Sequence, residues 1–129
     1  MNSIAVVAEK AGRDTVLDGA YQLALDQFVD DFGAADLALR LDLVAETPVI
    51  TDGRLAALIA AVVDAVCDET ATPKPAWLGT IGTKSPKPFF VMRPNGGCSA
   101  LFAFMQMTES PPAFFSRNVF VPYNYLSRA

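Results

Sequence analysis

Histidine is missing from this 129-residue chain, and cysteine occurs only twice. The first absence excludes Ser-His-Asp and Cys-His nucleophilic arrangements, two-histidine zinc motifs and the usual general base near neutral pH. Cys67 and Cys98 stand far apart, too few for a zinc site and unlike a CxxC redox pair. A disulfide between them is open, with two reduced thiols the expected state. Long apolar runs are also absent. The longest, LAALIAAVV from Leu55 to Val63, is closed by Asp64, far short of the ~20 residues that cross a bilayer. At the start, only Ile4 to Ala8 is apolar before Glu9 and Lys10, so no secretory leader is read and a cytoplasmic location is expected. No membrane association, cofactor or metal is expected.

Proline is scarce in the first 70 residues, where Pro48 stands alone, and acids are scarce in the rest, where Glu109 stands alone. Up to Thr70 there are thirteen acids and four bases, a net charge of −9; from Ala71 onward there are six bases and one acid, a net of +5. The remaining eight prolines all follow Ala71. An acidic helical region, 1–70, therefore gives way to a proline- and aromatic-rich region, 71–129, that packs on it within one domain. A chain of this size buries about two-thirds of its unfolded surface. The acidic half repels a phosphate backbone. The six bases of the second half form no run, so an intramolecular or partner-facing match to the acids is favoured over nucleic acid.

The fold class expected is mainly α: a small helical bundle with a C-terminal loop-and-helix segment. Val16, Leu17, Ala20, Tyr21, Ala24, Phe28 and Phe32 recur at three- and four-residue steps, with Asp14 as N-cap and Gly33 as a left-handed stop. A shorter helix follows in AADLALRLDLVAE. After Pro48, Asp52 caps the strongest helix. There Leu55, Leu58, Ile59, Val62, Val63 and Val66 face inward, while Arg54, Asp64, Asp68 and Glu69 are free to face out. Beyond Thr70, Trp77 and Phe89–Phe90 are the natural anchors of a proline-punctuated connection. RPNGG reads as a turn and CSALFAFMQMTES as helical. Ser110–Pro111 reads as a cap and first-turn proline of a short helix, and VFVP as extended.

Motifs with chemical meaning are weak. GTIGTKS, Gly79 to Ser85, lacks Walker A spacing, and Pro86 stands where its helix would begin; it reads as a glycine turn. The DFG at Asp31–Gly33 lacks every other kinase element. Asp26, Asp30 and Asp31 read as a solvated face, not an ion site. AVVAEKAGRDTV has the texture of a helix-turn-helix start, but no polar recognition helix follows it. FAFMQM, Phe102 to Met107, reads as core, with an adaptable partner groove as the alternative.

The C-terminal region carries a resemblance. Pro75-Ala76-Trp77, then Lys87 to Val91 (KPFFV), then Glu109 to Pro122 (ESPPAFFSRNVFVP), ending in NYLSRA, occur in an order that resembles a small actinobacterial family of antitoxin-like proteins. Their partners are nucleotidyltransferase-like toxins, and a helix-turn-helix often precedes this region. Phe115 and Ser116 stand where arginines are common in that family, and Asn118 where glycine is common. The resemblance implies a non-enzymatic protein that binds and neutralises a cognate toxin. Its candidate partner-binding residues are Trp77, Phe89, Phe90, Phe114, Phe115, Arg117 and Phe120, with no catalytic residue. A helix-turn-helix-derived regulator that binds DNA is the alternative, and a homo-oligomer stays open.

Overall fold

Helices make up most of the described chain, and the computed structural model describes residues 3–11, 20–91, 110–121 and 125–126. Helix α1 spans Ile4–Ala11, α2 Ala20–Ala34, α3 Leu37–Ala45 and α4 Gly53–Glu69. A 3-10 turn at Ala76–Gly79 and a short α5, Pro112–Phe115, follow. Two two-residue strands, β1 (Phe89–Phe90) and β2 (Val119–Phe120), pair in parallel, Phe89 opposite Val119 and Phe90 opposite Phe120. The expected N-cap Asp14, the RPNGG turn, the CSALFAFMQMTES helix and Cys98 lie outside the described residues. No helix among the described residues is long and apolar enough to cross a membrane.

Asp52 caps α4 as its position predicts, accepting hydrogen bonds from Arg54 N at 2.9 Å and Leu55 N at 3.4 Å. The body of the helix differs from the one-sided stripe expected. Every residue from Leu55 to Val63 is buried, the alanines included. A helix buried all round is a central one. Helix α2 packs against it from the N-terminal region, and α5 and β2 pack against it from the C-terminal region.

The end of α4 is a Schellman motif. Thr72 N donates to Cys67 O at 2.9 Å and Ala71 N to Asp68 O at 3.3 Å. Ala71 occupies the left-handed position, φ 54°, where glycine is the usual residue.

The end of α2 corrects an expectation. Gly33 lies within the helix and is not left-handed. Arg40 of α3 reaches back instead, its Nε donating to Phe32 O at 3.0 Å and its Nη2 to Gly33 O at 3.1 Å. A guanidinium satisfies orphan carbonyls and complements the negative end of the helix dipole, so no left-handed residue is required.

The C-terminal region is fastened by polar contacts at both ends. Ser85 N donates to Arg117 O at 2.8 Å, and Asn118 Nδ2 to Ser85 O at 3.3 Å. Asn118 has φ 61°, a conformation asparagine tolerates better than most side chains. Ser110 is not the cap of α5. Pro111 holds that position with Pro112 in the first turn, and Ser110 Oγ exchanges hydrogen bonds with the Val121 backbone. The glycine turn after Trp77 seats Gly82, φ 61°, directly on the Ala56 carbonyl of α4.

Candidate partner-binding site

The expected partner-binding residues fall into two groups. Trp77, Phe89, Phe114 and Phe120 are buried in this chain's own core region. Trp77 Nε1 donates to Val44 O at 2.8 Å, which ties the connection to the end of α3. Phe114 meets Tyr125 edge-on at 5.8 Å, and Tyr125 Oη donates to Gln22 Oε1 of α2 at 2.6 Å. Phe89 lies under the Arg54 guanidinium, 5.9 Å from its centroid. Phe115 is the exception: the residue is 53% exposed, its ring set T-shaped to that of Phe120 with centroids 5.8 Å apart. Phe90 takes part in β1, and Arg117 faces inward.

Arg117 builds the most polar feature of the interior. Its Nη1 donates to Asp64 Oδ2 at 2.8 Å and to Ala113 O at 3.0 Å. Lys74 Nζ lies 2.6 Å from the other Asp64 oxygen and 2.9 Å from Asp68 Oδ1. Asp64, expected to face out, is thus enclosed, its side chain 16% exposed against 12% for Arg117. Burial alone would raise the Asp64 carboxyl, but the contacts with Lys74 and Arg117 outweigh it and hold the group below the usual carboxylate range. The same contacts with Asp64 and Asp68 raise Lys74. Two cations of the basic half are therefore matched to acids of the acidic half.

Chemistry is sparse around this cluster. Cys67 is buried on α4, and its thiol is pushed up to about 11 by burial first and by the Asp64 charge next. Such a thiol is a poor nucleophile. Among the described residues no three His, Cys, Asp or Glu side chains gather as metal ligands.

The surface of α3 carries a feature that the sequence reading missed. Leu37 and Leu41, one turn apart, are 54% and 41% exposed. Asp42 on the same helix and the cap residues Asp36 and Glu46 are exposed too. The signal was present: Leu37, Leu39, Leu41 and Leu43 alternate, and residues two apart on a helix point in roughly opposite directions. One helix face cannot bury all four, so the structure buries Leu43 and leaves Leu37 and Leu41 outside. Leu23 of α2 is exposed as well.

Compared with known proteins, the chain matches no family model, no curated protein and no solved structure.

Proposed function

We propose that this chain is a non-enzymatic binding protein of the antitoxin kind, which neutralises a nucleotidyltransferase-type toxin by presenting α3 to a basic cleft on that partner. The observation that supports the reading is the exposed Leu37–Leu41 pair on a helix that also exposes Asp36, Asp42 and Glu46 along its length and at its caps. An apolar pair on an otherwise acidic helix suits a surface that carries both phosphate-binding cations and an apolar patch. Occlusion requires no bond-breaking group. The C-terminal region then serves as a brace. Its buried rings and its two paired cations hold the helices together.

Co-expression with the product of the neighbouring gene, followed by size-exclusion chromatography and a growth assay, tests this reading. Co-elution and restored growth are expected. Leu37→Asp combined with Leu41→Asp abolishes both and leaves the helical circular-dichroism signal intact, because neither side chain is in the core. Absence of co-elution together with absence of rescue ends the idea. Self-association removed by the same pair of substitutions, without a partner, assigns the face to a homo-oligomer instead.

A further inference from the structure

A groove of ≈ 620 Å³ runs beside the C-terminal end of α4. Its lining is mostly apolar: Ala65 of α4, Pro111 and Pro112 at the start of α5, Ala113, and Leu126. Tyr125 lines it too, with its hydroxyl already given to Gln22. Asp68 and Glu69, both exposed, complete the lining at the protein surface.

The charges around these two acids are unequal. Lys74 is engaged by Asp64 and Asp68, and Arg117 is turned inward to Asp64. Three carboxylates thus face two cations, and Glu69 makes no ion pair among the described residues. Glu69 is also the last residue of α4, where the negative end of a 17-residue helix adds to its field. Among the described residues, a cation entering here meets a net negative edge beside an apolar lining.

We infer that this groove is a docking site for an extended peptide segment of a partner protein, seating one large apolar side chain between Ala65 and the Pro111–Pro112 pair and one lysine or arginine against Glu69. The volume falls in the range of pockets that bury a bulky side chain and its neighbours. Prolines and a tyrosine suit this use, because they present apolar area that loses little conformational freedom on contact. The lining comes from both α4 and the C-terminal brace, so an occupant also pins the brace to the helix. This site is separate from the α3 face and does not rest on the antitoxin reading.

The test uses the full chain and four fluorescent, end-blocked octapeptides in a glycine–serine background: Phe with Arg three residues away, Phe with Glu, Ser with Arg, and Ser with Glu. Binding is followed by anisotropy up to about 1 mM peptide, and its location by backbone amide shifts. The Phe–Arg peptide is expected to bind best and to move the Ala65, Ala113 and Leu126 amides. Glu69→Lys is expected to weaken it by about five- to tenfold. Leu37→Asp with Leu41→Asp leaves it unchanged, which separates this proposal from the α3 reading.

Several outcomes overturn the inference. No binding by any peptide does so, as does equal binding by Ser–Arg, which removes the apolar anchor. Equal binding by Phe–Glu removes the charge. Shifts confined to α3 move the site elsewhere. Displacement of the peptide by millimolar benzyl alcohol with no dependence on Glu69 reassigns the groove to small apolar molecules.

Discussion

Arg117 and Asp64 meet at 2.8 Å across 53 positions of the chain, joining the basic C-terminal region to the centre of the acidic helical one. Both side chains are largely enclosed, and the Arg117 Nε is buried with no acceptor among the described residues. Lys74, half in solvent, completes the contact from the opposite side of the carboxylate.

The two partners should respond unequally to substitution. Asp64→Asn leaves the enclosed guanidinium without its counter-charge and should destabilise by about 2–4 kcal/mol. Arg117→Met leaves Asp64 paired with Lys74 and should cost only about 1–2 kcal/mol. The double variant should lie well short of the summed losses. Urea unfolding of the four proteins measures this, and strict additivity would show that the pair does not interact.

Stability should fall in acid. The folded-state pKa of Asp64 is depressed, and so is that of Asp52, where burial is outweighed by hydrogen bonds from the Arg54 side chain and from the Arg54 and Leu55 amides. A depressed carboxyl contributes its stabilisation above the unfolded pKa of about 4 and loses it as pH drops through the folded value. Lys74, raised, contributes below about pH 10 and loses its share as pH climbs through the folded value. A plateau through neutral pH with a decline below about pH 4 is expected. In Asp64→Asn that acid decline should be shallower, which a pH series of thermal melts would reveal.

Two backbone positions should answer in opposite directions. Ala71 holds a left-handed conformation that glycine adopts without strain, so Ala71→Gly should stabilise by about 0.5–1 kcal/mol. Gly82 is left-handed too, and a methyl group there collides with the Ala56 carbonyl. Gly82→Ala should cost at least about 2 kcal/mol. Thermal melts of both variants decide the matter; a harmless Gly82→Ala would mean that the turn does not sit on α4 in solution.

Cys67 should be inert in the folded protein. A thiol pushed up to about 11 is thiolate in only about one molecule in 10⁴ at pH 7, and this one is also buried. In a Cys98→Ser background, Ellman's reagent should label Cys67 promptly in urea and only at the rate of opening in buffer. Rapid stoichiometric labelling of the native form would show that α4 is not enclosed.

Much of the helical organisation was legible in residue spacing. Capping by Asp52, the short helix at Pro112–Phe115 and the extended Val119–Phe120 follow from rules that act within a few residues. The stop of α2 was misread because its cap comes from Arg40 on the next helix, and a guanidinium reaching backward leaves no local signature. Asp64 was misplaced for a similar reason. From spacing alone it is an acid on the outward side of an amphipathic helix, and only the arrival of Lys74 and Arg117 closes that side.

Local chemistry in the sequence thus determined the helices, the charge division between the two halves and the lack of a histidine-based reaction centre, because each depends on composition or on neighbours a turn away. Tertiary structure alone decided which surfaces were left over. The aromatics of the C-terminal region could have stayed at the surface, but among the described residues Trp77, Phe89, Phe114, Phe120 and Tyr125 are buried, whereas Leu37 and Leu41, ordinary core residues by type, remain in water. The reason is geometric. Burial depends on which elements come to lie over a side chain, and that is fixed by contacts between segments far apart in the chain.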